Sequence, residues 1–366
     1  MNDFYFLVNG PGEIAGWLYP LVKTLKRKSF NWIKDTNFYC VLVPCQFATG
    51  EEKKVVESFN FFKRIFTPEE YYGLFRRKKQ GKTIVFHLGG DLFFNGILSK
   101  IWNAYSIAYI EKKYFWDFFF DKVYSSRFLS QKIKCVGDLR FENLNRNAFS
   151  VHSNKIALFP GSRDYALRFY LPFYMALIKE INRFYPNLSF TFFFSPFLRS
   201  EVINYYLKRL SPIMENLPIE IKILKDWEED IKDILFSITL PGTTTIQLAY
   251  SGIPMLVILP LHRPEYLPLE GIAHFLKGKV RNKLVDFYLK KNPYLALPNR
   301  YKEGIVKEIV GKFNFQDVLK YLLDILNDRN VIYKMHKDLE ETFPLMEINP
   351  SEVIWSDLNE ILEKNF

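Results

Sequence analysis

The segment Ser237–Pro260, SITLPGTTTIQLAYSGIPMLVILP, constrains the fold more than any other part of the chain. A strand-length apolar run ends at Pro241-Gly242, and a helix enters through Thr243-Thr244-Thr245. A break at Ser251-Gly252-Ile253-Pro254 leads into a second apolar run, MLVILP. Strand, helix and strand in this order form one crossover unit of an α/β fold. The hydroxyl-rich helix start then follows a strand's carboxyl end, where unpaired first-turn amides and the positive end of the helix dipole favour an anion. A threonine cap on a purely structural helix carries the same signature.

Similar units recur along the chain. Asp3 to Val8 reads as a buried strand, followed by the turn Asn9-Gly10-Pro11-Gly12-Glu13-Ile14-Ala15-Gly16 and a helix from about Trp17 to Lys28. The spacing G-x-G-x-x-x-G departs from the dinucleotide fingerprint, and no acidic residue ends a following strand at the ribose position, which argues against NAD. Glu13 inside the turn either complements the helix dipole or does chemistry. Asn37–Pro44 reads as a strand and Thr49–Phe66 as a helix. Lys82–Leu88 is a third strand, ending in Gly89-Gly90-Asp91. That places His87 and Asp91 at a strand's carboxyl end, although a strand histidine is commonly a core residue. Lys134–Asp138 closes this half with a short strand, and the polar stretch Asn143–Asn154 is the expected linker.

The second half restarts with the strand Lys155–Phe159, the turn Pro160-Gly161-Ser162-Arg163, and a helix from Ala166 or Pro172 to Arg183. Strands at Leu188–Phe194 and Ile219–Leu224 flank a helix at Glu201–Leu210, and a further helix at Trp227–Leu235 precedes the opening segment. After Pro260 the sequence predicts helix over Leu261–Leu289, then from about Lys302, from Gln316, and near Ser351–Lys364. The expected fold is α/β, with two Rossmann-like doubly wound domains facing each other across a cleft. They cover residues 1–148 and 149–345.

The chain has 366 residues, 48% hydrophobic and 25% charged, which suits two globular domains. Its net charge of +10 calls for a partner: nucleic acid, an anionic membrane surface or phosphorylated substrates. No nucleic-acid recognition motif accompanies the basic clusters, so no nucleic-acid partner is expected. Basic clusters beside aromatic runs suit contact with anionic headgroups, and equally an ordinary solvated surface. Cys40, Cys45 and Cys135 form no disulfide-like or metal-like pattern, and the N-terminus reads as a strand, consistent with a cytoplasmic location. The turns Pro160–Arg163 and Pro241–Thr245 lie in one domain; together they can hold a diphosphate through amides, the hydroxyls of Ser162, Thr243, Thr244 and Thr245, and the Arg163 fork.

These residues resemble the lipid-A-disaccharide synthases. Gly12-Glu13-x-Ala15-Gly16, Val136-Gly137-Asp138, Leu158 to Arg163, Gly242-Thr243 and Leu297-Pro298-Asn299 occur in that family's order. The resemblance implies the GT-B architecture, a UDP-sugar donor site in the second domain, an acceptor site in the first, and a last helix (346–366) packing back on the first. It implies metal-independent, inverting transfer of an acylated glucosamine to a lipid-linked or other sugar acceptor, with no cofactor. Carried over, Gly161, Arg163, Gly242 and Asn299 belong to the donor side, and Gly12, Glu13 and Gly16 to the acceptor-side loop. The family's acidic loop appears here as Gly90-Asp91-Leu92-Phe93-Phe94-Asn95, and Gln247 replaces the usual glutamate of the ribose-binding helix. The base is expected to be Asp91, then His87, then Glu13. A UDP-GlcNAc 2-epimerase, using the same fold without an acceptor, is the alternative; a non-enzymatic basic membrane or nucleic-acid binder is a further one. A homodimer is compatible with the sequence.

Overall fold

The computed structural model describes residues 2–45, 48–77, 81–260 and 278–365. The chain divides into two compact units, Met1–Glu142 with Met346–Phe366, and Asn143–Leu345. Among the described residues the first unit holds a seven-stranded parallel sheet: β1 (Asn2–Val8), β2 (Thr36–Leu42), β3 (Arg64–Phe66), β4 (Thr83–His87), β5 (Tyr105–Ile110), β6 (Lys122–Ser125) and β7 (Lys134–Cys135). Their order is β3-β2-β1-β4-β5-β6-β7. Residues of β1 alternate between two cores, as a strand buried on both faces must. Tyr5 and Leu7 join Val41, Val85 and Trp102 on one side. Phe4 and Phe6 face Trp355 on the other, at ring-centroid distances of 5.8 and 6.1 Å. Trp355 belongs to the helix Pro350–Asn365, is fully buried, and donates its indole N–H to the Leu21 carbonyl at 2.9 Å. The last helix is thus part of the first unit's core.

The second unit holds, among the described residues, a six-stranded parallel sheet: β8 (Lys155–Phe159), β9 (Ser189–Phe194), β10 (Ile219–Ile223), β11 (Phe236–Thr239), β12 (Met255–Pro260) and β13 (Lys307–Gly311). The order is β10-β9-β8-β11-β12-β13. The helix Asp164–Phe184 covers one face and carries Pro172 inside it, so the proline does not mark its start. The helix expected from about Lys302 is replaced by β13, whose sequence KEIVG is half polar because the strand lies at the sheet edge. Of the helix expected over 261–289, the part up to residue 277 lies outside the described residues; the remainder belongs to the helix Gly278–Lys291. Among the described residues no helix is long and apolar enough to cross a membrane.

Each sheet has one place where the strand order reverses: between β1 and β4 in the first unit, and between β8 and β11 in the second. Open α/β sheets bind their ligands at the carboxyl ends of such strands, because the connections there diverge to opposite faces and leave a crevice.

Candidate functional site

In the second unit the two glycine turns meet at the reversal point. β8 and β11 pair directly, with Phe159 opposite Thr239, so Gly161 and Gly242 follow neighbouring strand ends. Gly161 has φ +93°, and a Cβ there would sit 3.1 Å from Leu240 Cδ1, in the residue that enters the other turn. Gly242 has φ +151° and ψ −169°, a region open only to glycine. Among the described residues nothing lies within 4 Å of where its Cβ would be. The helix Thr243–Tyr250 begins immediately after it. In its first turn the Thr245 amide donates to the Gly242 carbonyl at 3.1 Å, while the amides of Thr243 and Thr244 precede any intrahelical acceptor.

Around this edge the sequence-selected residues divide by task. Thr245 is buried; its hydroxyl donates to the Gly242 carbonyl at 2.7 Å and accepts the Leu297 amide at 3.2 Å, fastening the turn to a neighbouring segment. Asn299 is buried too. Its amide donates to the Val306 carbonyl (3.0 Å) and Glu308 Oε1 (2.5 Å), and its oxygen accepts from the Val306 amide (2.9 Å). Asn299 therefore shapes the Leu297–Arg300 turn and its side chain is committed to the protein. Glu308, which the sequence did not single out, also accepts the amides of Leu295 and Ala296. Thr243, Thr244, Gln247, Ser162 and Arg163 remain half-exposed at the edge. Arg163 precedes the helix Asp164–Phe184. Asp164, in that helix's first turn, is paired with Arg199 from the segment after β9. Arg199 follows a third strand end on the same side of the sheet, a signal that the chain's own repeating pattern offered.

In the first unit the turn after β1 contacts the turn after β4, since a Cβ on Gly89 would run into the Asn9 side chain. The three proposed bases sit very differently. Asp91 is exposed and caps the helix Leu92–Ile101, accepting the amides of Phe93 (2.8 Å) and Phe94 (3.4 Å). His87 is buried, its ring 5.7 Å from that of Phe120. Burial holds its pKa down at about 3, so the ring is neutral. Asn95 Nδ2 donates to its Nδ1 at 2.5 Å and to the Gly89 carbonyl at 3.0 Å, while Tyr71 donates to Asn95 Oδ1 at 2.7 Å.

Glu13 ends a short helical turn, Pro11–Glu13, that passes into a π-helical turn at Ile14–Leu18. Burial raises its pKa, and the Glu111 carboxylate adds to this; backbone amides and the Arg140 guanidinium oppose the rise. Arg140 was not selected from the sequence. It reaches both oxygens of Asp138, through Nε at 2.9 and 3.1 Å and through Nη2 at 2.6 Å, and it pairs with Glu111 Oε1 at 2.5 Å. Gly16 makes this possible: a Cβ there would stand 2.7 Å from Arg140 Cγ. Asp138 and Glu111 thus share one guanidinium, whose charge also acts on the buried Glu13 carboxyl.

No protein-family model and no curated protein matches the chain. Among solved structures it is similar to a putative UDP-N-acetylglucosamine 2-epimerase from Listeria monocytogenes, with TM-score 0.61 and 11% identity over 100% of this chain and 97% of that one. It is similar to S. aureus MnaA in its co-structure with UDP, with TM-score 0.57 and 12% identity over 99% and 97% of the two chains. The UDP-GlcNAc 2-epimerase of Methanocaldococcus jannaschii, in complex with UDP-GlcNAc and UDP, aligns with TM-score 0.53 and 13% identity over 98% and 100%. At these identities the comparisons show the fold: two Rossmann-like, parallel-sheet α/β domains of the GT-B type. The resemblance to lipid-A-disaccharide synthases reaches that architecture in these comparisons and goes no further.

Proposed function

We propose that the chain is an enzyme acting on a UDP-activated N-acetylhexosamine, with inversion at the sugar's C2 as the first reading of its reaction. The observation that carries the proposal is the meeting of the Gly161 and Gly242 turns at the strand-order reversal of the second unit. Amides of Thr243 and Thr244, the Ser162 hydroxyl and the Arg163 guanidinium are the groups we assign to the diphosphate. Two of the similar proteins named above, S. aureus MnaA and the Methanocaldococcus jannaschii enzyme, are solved with UDP or with UDP-GlcNAc and UDP, which supports that ligand class.

A C2 hydrogen in a sugar ring has no neighbouring carbonyl to acidify it. Its removal is eased if the bond from C1 to the diphosphate breaks at the same time, leaving a C1–C2 double bond and a UDP anion. Delivering a proton to the opposite face of C2 and returning the diphosphate to C1 completes the inversion. The turns would stabilise the charge that grows on the departing diphosphate. For proton transfer we assign Glu13 ahead of Asp91 and His87. Asp91 is engaged as a helix cap, and His87 is buried and neutral. Burial raises the pKa of the Glu13 carboxyl, which makes it a stronger base than a solvated carboxylate.

Glycosyl transfer is the second reading, favoured by the Pro160–Arg163 and Leu297–Asn299 motifs in their lipid-A-disaccharide-synthase order. Both reactions break the same bond and need the same diphosphate grip. Incubation with UDP-GlcNAc alone in deuterated water separates them. Proton NMR is expected to show the C2 epimer and loss of the C2 proton signal through exchange. UDP binding without epimer or exchange would overturn the first reading in favour of transfer, and absence of any UDP-induced thermal shift would overturn the diphosphate site itself.

A further inference from the structure

We propose that the loops following β4, β5 and β6 form an aromatic platform that docks the protein onto an anionic lipid bilayer. The segment after β5 reads Glu111-Lys112-Lys113-Tyr114-Phe115-Trp116-Asp117-Phe118-Phe119-Phe120, and its aromatic rings part company. Phe120 turns inward beside His87, and Phe119 fills the space left by Gly96, where a Cβ would lie 2.8 Å from Phe119 Cβ. Phe115 and Phe118 project outward, 79% and 66% exposed. Two inward rings thus anchor a short helical turn whose other rings meet solvent.

The neighbouring loops extend the surface. Phe93, after β4, lies 4.7 Å from Trp116 between ring centroids, and the adjacent Phe94 is 50% exposed. After β6, Arg127 Nε donates to the Glu111 carbonyl at 3.1 Å, and the next residue, Phe128, is 73% exposed. Exposed apolar groups this closely gathered mark an interaction surface, because ordinary surfaces scatter them singly.

The charge around the rings selects the partner. Lys112, Lys113, Arg127 and Lys132 are exposed at the rim, in a chain of net charge +10. Lys112 Nζ lies 5.3 Å from the centroid of Tyr114, so its stem runs along the aromatic surface while the ammonium stays outside. Phenyl and indole rings enter the headgroup boundary of a bilayer, and flanking lysines meet phosphate at its outer edge. The short loops bring these two features together. The docking goes beyond the proposed reaction and holds for either reading of it.

Co-sedimentation of the full-length protein with vesicles of phosphatidylcholine, and of phosphatidylcholine mixed with phosphatidylglycerol, tests the platform. Wild-type protein is expected to partition onto the mixed vesicles and to be released by high salt. The double variant Phe115→Ser, Phe118→Ser is expected to lose binding about tenfold or more, and Lys112→Glu, Lys113→Glu to lose the preference for the anionic lipid. The UDP-induced thermal shift serves as the folding control in both variants. The proposal is overturned if wild-type protein stays in the supernatant, if serine at both positions leaves partition unchanged, or if sedimentation equilibrium instead shows self-association abolished by the serine substitutions.

Discussion

At the scale of single residues, Gly242 makes the sharpest claim. Its φ of +151° excludes other residues, and no other described residue comes within 4 Å of where its Cβ would be. Gly242→Ala should lower UDP affinity at least tenfold, by titration calorimetry, and cost about 1–3 kcal/mol of stability from the backbone alone. Gly304→Ala is the matched control: Gly304 also has positive φ (+71°) and no described residue within 4 Å of where its Cβ would be, so alanine there should destabilise without touching UDP binding. Equal loss of UDP affinity in both variants would remove Gly242 from the ligand site. The glycine turns were legible in the sequence because positive φ at a strand end leaves glycine as the economical residue. How each of the three candidate bases is engaged was not legible, because a capping carboxylate and a free one look alike in a sequence. Arg140 and Glu111 had no local signal at all; folding alone brings them to Glu13.

At the scale of elements, the attachment of the final helix carries a pH signature. Ser351, in its first turn, donates its amide to Glu142 Oε1 and its hydroxyl to Glu142 Oε2, both at 2.5 Å, and lies 2.7 Å from the Thr24 hydroxyl. Burial nonetheless raises the Glu142 pKa from 4.5 to about 7, outweighing the two bonds from Ser351. An acid with a higher pKa in the folded state contributes stability that is fully present below pH 4.5 and lost as pH rises to about 7. The change amounts to about 3 kcal/mol across that window. Glu142→Gln keeps one acceptor for the Ser351 amide and offers a donor to its hydroxyl. It should leave Tm at pH 4.5 unchanged and raise it by a few degrees at pH 8; an unaltered pH–Tm curve would refute the assignment. Among the elements, buried parallel strands such as β1, β4, β8 and β12 were readable as apolar runs. The polar edge strand β13 was not, because pairing with β12 rather than its own side chains holds it in the sheet.

For the whole molecule, the order in which the chain is made matters. The second unit is one unbroken stretch, Asn143–Leu345, whereas the first waits for Met346–Phe366. Phe4, Phe6 and Trp32 all pack on Trp355, so β1 is completed by a helix made more than three hundred residues later. On the ribosome the second unit can therefore close before the first, reversing the usual amino-to-carboxyl sequence of domain folding. A chain ending at Leu345 should keep native hydrogen-exchange protection in β8–β12 and lose it in β1 and β2. Full protection of β1 in that truncated chain would show that the first sheet stands without its closing helix. Until Trp355 emerges, a nascent chain carries an uncovered row of phenylalanines, and its need for chaperones should peak at that moment of synthesis.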